Sequence, residues 1–181
     1  TRDFFDDFYI LVINSPENIN FNKEERCDPI LLDCGLASAE GSTILFEDDF
    51  ESQIPFSPIS GNGWTNHIEV GTESFEAYSS EGTNASLGVS CRVGAYQSVD
   101  ESSIAWLITP AIDLIANPNT TMTFQTSNSF SNNSELELMF SNDWNGTTTG
   151  ISDATWGVIP AAYITQDSDF YGAWFDSGIV D

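Results

Sequence analysis

Trp106-Leu107-Ile108-Thr109-Pro110-Ala111-Ile112-Asp113-Leu114 is the stretch on which the reading of the fold turns. Its first three residues are an apolar, β-prone run; Pro110 then removes a backbone donor, so the strand must end at a sheet margin or bend. Ile112 and Leu114 are expected to resume burial beyond the proline. From Ser42 onward, short β-rich segments alternate with Gly, Asn, Ser and Asp clusters, and no segment keeps helical periodicity over about twelve residues. Strands are predicted at 43–51, 67–70, 76–78, 86–89, 103–108, 122–127, 135–141, 156–159 and 172–175. Two of them alternate cleanly: Met122, Phe124 and Thr126 against Thr121, Thr123 and Gln125, then Leu136, Leu138 and Phe140 against Glu135 and Glu137. Each therefore has one wet face. The class is all-β, and the strand spacing suits a sandwich.

Composition narrows the function classes. The 181 residues are 40% apolar, with 13 Phe, 5 Trp and 5 Tyr, enough for one good core and a fragment of a second domain. Four basic residues stand against 28 acidic ones, and the net charge of −24 repels phosphates, so no nucleic acid or anionic lipid partner is expected. Cations and neutral ligands are favoured. No apolar run reaches the roughly 18 residues of a membrane-spanning helix.

Charge also divides the chain. Residues 1–40 hold nine acids and three bases, whereas residues 41–181 hold nineteen acids and Arg92 alone. Phe8-Tyr9-Ile10-Leu11-Val12-Ile13, stopped by Asn14-Ser15-Pro16, is an apolar strand that cannot stand alone. Residues 1–34 are thus expected to be the remnant of a second β domain, 35–42 a small-residue linker and 43–181 the main domain. Thr1-Arg2-Asp3 carries neither initiator Met nor signal pattern, which suggests a processed product or fragment. Leu31-Leu32-Asp33-Cys34 does not qualify as a lipidation box, because Asp33 stands where a small residue is needed. Cys27 and Cys34 either form a disulfide or stay as two buried thiols; the bridge would close a short loop and contribute roughly 2.5 kcal/mol in an oxidising compartment. Three cysteines and the lone His67 lack zinc-finger spacing.

Phe50-Glu51, Gly63-Trp64, the 106–114 run and Leu136-Glu137-Leu138-Met139-Phe140-Ser141-Asn142-Asp143 together resemble the choice-of-anchor J, or cleaved-adhesin, domains of bacterial surface proteins. The resemblance covers about residues 43–181 and implies a jelly-roll sandwich. Residues 1–33, ending in Glu25-Arg26-Cys27-Asp28, more loosely resemble the end of an OB-like domain found before such domains. The resemblance implies a non-catalytic accessory or adhesin-like subunit of an outer-membrane protein complex for uptake or export. It would lie on the extracellular face of the outer membrane as a lipoprotein, or be secreted. Trp174-Phe175-Asp176-Ser177-Gly178-Ile179-Val180-Asp181 is similar to a family element that precedes the closing strands, so the final strands are expected to be missing.

Glu47-Asp48-Asp49-Phe50-Glu51 packs four carboxylates into five residues, a density of hard oxygen ligands that suits Ca²⁺. On a strand Asp49 and Glu51 would share one face. In the resembled family the glutamate of the Phe-Glu pair holds calcium together with an aspartate from the last strand, which points to Glu51, with Asp48 second. The same acids also read as a solvated edge that discourages aggregation. Neutral sugars stack on aromatic faces, and Trp64, Trp144 and Tyr171 are the candidates for a glycan, with Tyr163 and Trp174 in similar polar surroundings. A buried sandwich Trp is the competing assignment. A carbohydrate-binding module of an uptake system is therefore the alternative function, and a glycoside hydrolase a weaker one, since 28 acids make accidental carboxylate pairs certain. No nucleophile motif surrounds His67, and the chain is expected not to be an enzyme.

Overall fold

The structure is a computed structural model that describes residues 7–9, 43–79, 88–94, 98–128, 135–160, 162–166, 168–169 and 173–181. The described residues form ten short strands: β1 (Asp7–Tyr9), β2 (Thr65–Val70), β3 (Glu76–Tyr78), β4 (Ser90–Arg92), β5 (Ile104–Ile108), β6 (Gln125–Thr126), β7 (Glu135–Leu136), β8 (Met139–Phe140), β9 (Gly157–Val158) and β10 (Phe175–Asp176). One turn of 3-10 helix, Thr148–Gly150, is the only helical piece among them. The protein is all-β over these residues.

β5 is central because its sequence buries both faces. Ala105 and Leu107 enter the main core with Phe50, Ile59, Trp64, Phe75, Ala77, Cys91, Phe124 and Leu138. Trp106 points the other way, into a second cluster with Ile151, against which Ile104, Ile108, Met139, Trp144 and Trp156 pack. A near-continuous apolar strand is what two covered faces require. β2 runs antiparallel to β5, placing His67 opposite Trp106, with a bulge between Ile68 and Val70. The sheet order is β2-β5-β1-β7, with β1 parallel to both neighbours. Asp7–Tyr9, expected to belong to a separate 1–34 segment, thus pairs inside this sheet. The rest of 1–42 lies outside the described residues, Cys27 and Cys34 included. β3–β4, β8–β9 and β6–β10 are separate antiparallel pairs.

Pro110 lies just beyond the end of β5 at Ile108, as expected. Gly63 lies against it, since a Cβ there would come within 3.1 Å of the Pro110 ring. Asn62 and Gly63 both have positive φ (47° and 79°), and Trp64 N–H donates to Gly61 O at 3.0 Å, so an Asn-Gly turn launches β2. The alternation at 121–126 is also borne out: Phe124 and Thr126 are buried and Thr121 and Thr123 exposed. That strand forms a ladder with the C-terminal residues. Phe175 is opposite Thr126, Met122 bridges Val180, and between them Ser177 Oγ accepts Phe124 N–H at 2.9 Å.

Several expectations need correction. Residues 43–51 do not form a strand. Asp48 Oδ1 accepts Phe50 N–H and Asp49 Oδ1 accepts Glu51 N–H, so side chains take the donors a ladder would use and the chain turns, with Phe50 at φ 61°. The single strand expected over 135–141 is two, and it changes partners between them: β7 joins β1 while β8 joins β9. Leu138 is accordingly in the main core, but Met139 packs on the second cluster and Phe140 is 56% exposed. Of the strand expected over 86–89, residues 86 and 87 lie outside the described residues, 88 and 89 are not in a strand, and β4 begins at Ser90. Ile112 and Leu114 do not return to the core; both are exposed.

Candidate functional site

The acidic turn is built around Asp48. Its carboxyl group is buried and accepts Phe50 N–H at 2.7 Å, Trp64 Nε1–H at 2.6 Å and Asn62 Nδ2–H at 2.9 Å. Three N–H donors leave this side chain organising the turn rather than open to solvent. Trp64, read in sequence as a loop platform, is 8% exposed, with Phe50 stacked at 5.8 Å and Phe46 edge-on at 5.1 Å. Its ring faces are spent on packing. Glu51 is exposed and accepts Val89 N–H at 2.9 Å, tying the turn to the approach of β4. Among the described residues no three His, Cys, Asp or Glu side chains come together as a metal-holding group. A cleft of about 330 Å³ beside the turn is lined by residues between Ser52 and Asn62, none of them titratable.

The second aromatic group lies on the far side of β5. Trp106 is 7% exposed and donates its Nε1–H to Glu69 at 2.6 Å. Trp156 overlies it at 4.9 Å, and Trp144 continues the series at 6.2 Å from Trp156. Trp156 and Trp144 are half-buried. Their indole N–H groups go to Ile151 O at 3.0 Å and Thr147 O at 2.9 Å respectively. Trp144, already a candidate from sequence, gains two indole companions that the sequence did not reveal. Tryptophans scattered over fifty residues carry no sign of who their neighbours are; only the folded chain places Trp106 beneath Trp156.

Trp144 sits on a braced loop. Ser141 Oγ and Asp143 Oδ1 are 2.8 Å apart, Trp144 N–H donates to Ser141 Oγ, and Thr155 N–H donates to Asp143 Oδ1 at 2.8 Å. The Thr155 N–H first and the Ser141 hydroxyl second hold the Asp143 carboxyl below the usual carboxylate range. Asn142 and Asn145 stand exposed on either side of Asp143-Trp144.

A third feature lies beyond Pro110. Asp113 Oδ1 accepts both Ile115 N–H (3.1 Å) and Ala116 N–H (2.9 Å), while Asn117 Nδ2–H returns to Asp113 O at 2.8 Å. The turn so fixed displays Leu114, 59% exposed, and Ile115, 97% exposed. The Asp and the Asn117-Pro118 pair were legible turn signals that the apolar spacing of Ile112 and Leu114 outweighed.

Tyr171 lies outside the described residues. Tyr163 is exposed, donates its hydroxyl to Asp169 at 2.7 Å and lies 5.9 Å from the Phe175 ring. Trp174 is half-buried against the main core. His67 is half-buried opposite Trp106. Neither a protein-family model, nor a curated protein, nor a solved structure matches the chain.

Proposed function

We propose that the chain is a non-catalytic, adhesin-like module of a bacterial outer-membrane assembly, acting through protein contacts on a jelly-roll scaffold. The observation that carries this reading is the Asp113 turn. Isolated surface aliphatics are ordinary, but here three side-chain-mediated hydrogen bonds hold a turn whose apices, Leu114 and Ile115, are directed at solvent. Fixing two aliphatics in place lowers the ordering cost of association, and apolar groups of this kind supply interface cores. The all-β architecture and the resemblance of residues 43–181 to surface-protein domains support the same setting, on the extracellular face of the outer membrane or in the secreted fraction.

In this setting Ca²⁺ would be held through Glu51, with oxygen ligands from elsewhere, because Asp48 is committed to Trp64. Thermal melts with and without chelator would then differ in the wild type and coincide in Glu51→Ala; identical wild-type melts would remove the ion. The protein-contact reading is tested by purifying the assembly intact from membranes and identifying its components by mass spectrometry. A stoichiometric membrane-protein partner is expected, lost in Leu114→Ser/Ile115→Ser. A monomeric chain with no partner would overturn it.

A further inference from the structure

A different face of the molecule supports a second kind of ligand, independently of the protein contacts above. Trp106 of β5 and the two tryptophans packed on its side of the strand run from inside to outside: Trp106 is buried, Trp156 covers it, and Trp144 touches Trp156 further out. Trp106 and Ile151 already form the buried part of this cluster. The outer two indoles retain exposure, and every N–H of the three is used within the protein, by Glu69, Ile151 and Thr147. What remains for a ligand is ring face and edge, with orientation fixed beforehand.

The surroundings select among ligands. Exposed amides, Asn142 and Asn145, flank Trp144, Asn145 offering its NH2 because its Oδ1 accepts from Thr147 N–H and Oγ1–H, and the exposed carboxylate of Glu69 accepts from the Trp106 indole. No Lys or Arg lies in the 135–160 segment or in β2, and the net charge is −24, so an anionic ligand meets repulsion without a compensating cation. A ligand that lays a C–H face on indole while offering hydroxyls to amides and a carboxylate is a neutral sugar. The Ser141–Asp143–Thr155 bonds hold the loop that carries Trp144, so little ordering is left for binding to supply.

We propose that Trp144 and Trp156, with Asn142 and Asn145 beside Trp144 and Glu69 on the supporting Trp106, form a binding face for a neutral oligosaccharide. The two outer rings act as the stacking platform and Trp106 as its support. The test titrates the wild-type chain with neutral cello-, manno-, xylo- and galacto-oligosaccharides while following the indole N–H resonances. Saturable shifts in Trp144 and Trp156, with Trp64 unmoved, are expected from at least one sugar. Trp144→Ala, and Trp156→Ala if folded, should weaken that binding by about tenfold, while Trp144→Phe keeps most of it. Absence of saturable shifts with every sugar overturns the proposal, as does a sugar response that shifts other residues and survives Trp144→Ala. Loss of the membrane-protein partner in Trp144→Ala without any sugar response would also overturn it, assigning this face to the protein interface instead. The sugar outcomes do not bear on Leu114 and Ile115, which are tested through the partner.

Discussion

Asp48 shows how one side chain can reverse the reading of a segment. In sequence it is one acid among four in a five-residue stretch; in the fold it joins the Phe50 backbone, Asn62 and the Trp64 indole. Phe50 accepts a left-handed conformation that costs a bulky residue roughly 1–2 kcal/mol, and burial of its ring against Trp64 offsets that cost. Asp48→Ala leaves the Phe50 and Trp64 donors without their acceptor, and at about 1–3 kcal/mol per buried unpaired group the loss should reach about 3 kcal/mol in a urea titration. Cys91 is a second buried group with a clear consequence. Burial first, then the nearby Asp48 and Glu76, push its thiol well above the ordinary cysteine range. The folded protein should leave Cys91 unmodified by thiol reagents at neutral pH and expose it on unfolding; rapid labelling under native conditions would contradict its place in the core. Neither fact was legible in the sequence, because burial of a single acid or thiol depends on which distant residues arrive beside it.

At the scale of elements, the sequence was most informative where a residue type leaves little choice. Pro110 had to end β5, and the period-two pattern at 121–126 had to present one face to the core. It was least informative where side chains compete with backbone pairing, as Asp48, Asp49 and Asp113 do. The split between β7 and β8 has another cause: the chain changes partners midway, which local alternation cannot record. The turn after β2 provides a test of how such side-chain locks work. Gly71 has φ +83°, and a Cβ there would stand 2.7 Å from Asp100 Oδ2, 2.8 Å from Ser103 Oγ and 2.9 Å from Ser102 O. Gly146 has a similar φ of +79° with open space around it. Gly71→Ala should therefore cost about 2 kcal/mol or more and Gly146→Ala about 1 kcal/mol, since only the first adds a clash to the backbone term. Equal losses in denaturant titrations would mean that Asp100, whose Oδ2 accepts Thr72 N–H at 2.7 Å and Thr72 Oγ1–H at 2.9 Å, does not hold the turn.

For the molecule as a whole, charge sets the response to solvent. Asp100, Asp143 and Asp169 are all held below the usual carboxylate range, chiefly by backbone N–H donors from Thr72, Thr155 and Gln166 respectively. A folded value below the unfolded one, about 3.9 for Asp, gives stability that is complete above that pH and is lost as pH falls through the folded values. Acid titration below about pH 4 should therefore loosen the contacts at Thr72, in the 141–155 loop and between Gln166 and Asp169, and Asp143→Asn should remove its share of that dependence when the Thr155 amide is followed by NMR. Self-repulsion at net −24 acts alongside and should be relieved by added salt, raising Tm at neutral pH. The all-β class was readable from strand spacing; the surfaces on which function depends were not, because Ile112 and Leu114 read as core residues until the Asp113 turn is seen. The most direct measurement is site-specific photo-crosslinking in intact cells, with the crosslinker at position 115 and, for comparison, at exposed position 70. A single discrete adduct with a membrane protein from position 115, absent from position 70, is the predicted result; no adduct at 115, or the same adducts from both positions, would contradict a protein-docking role for this turn.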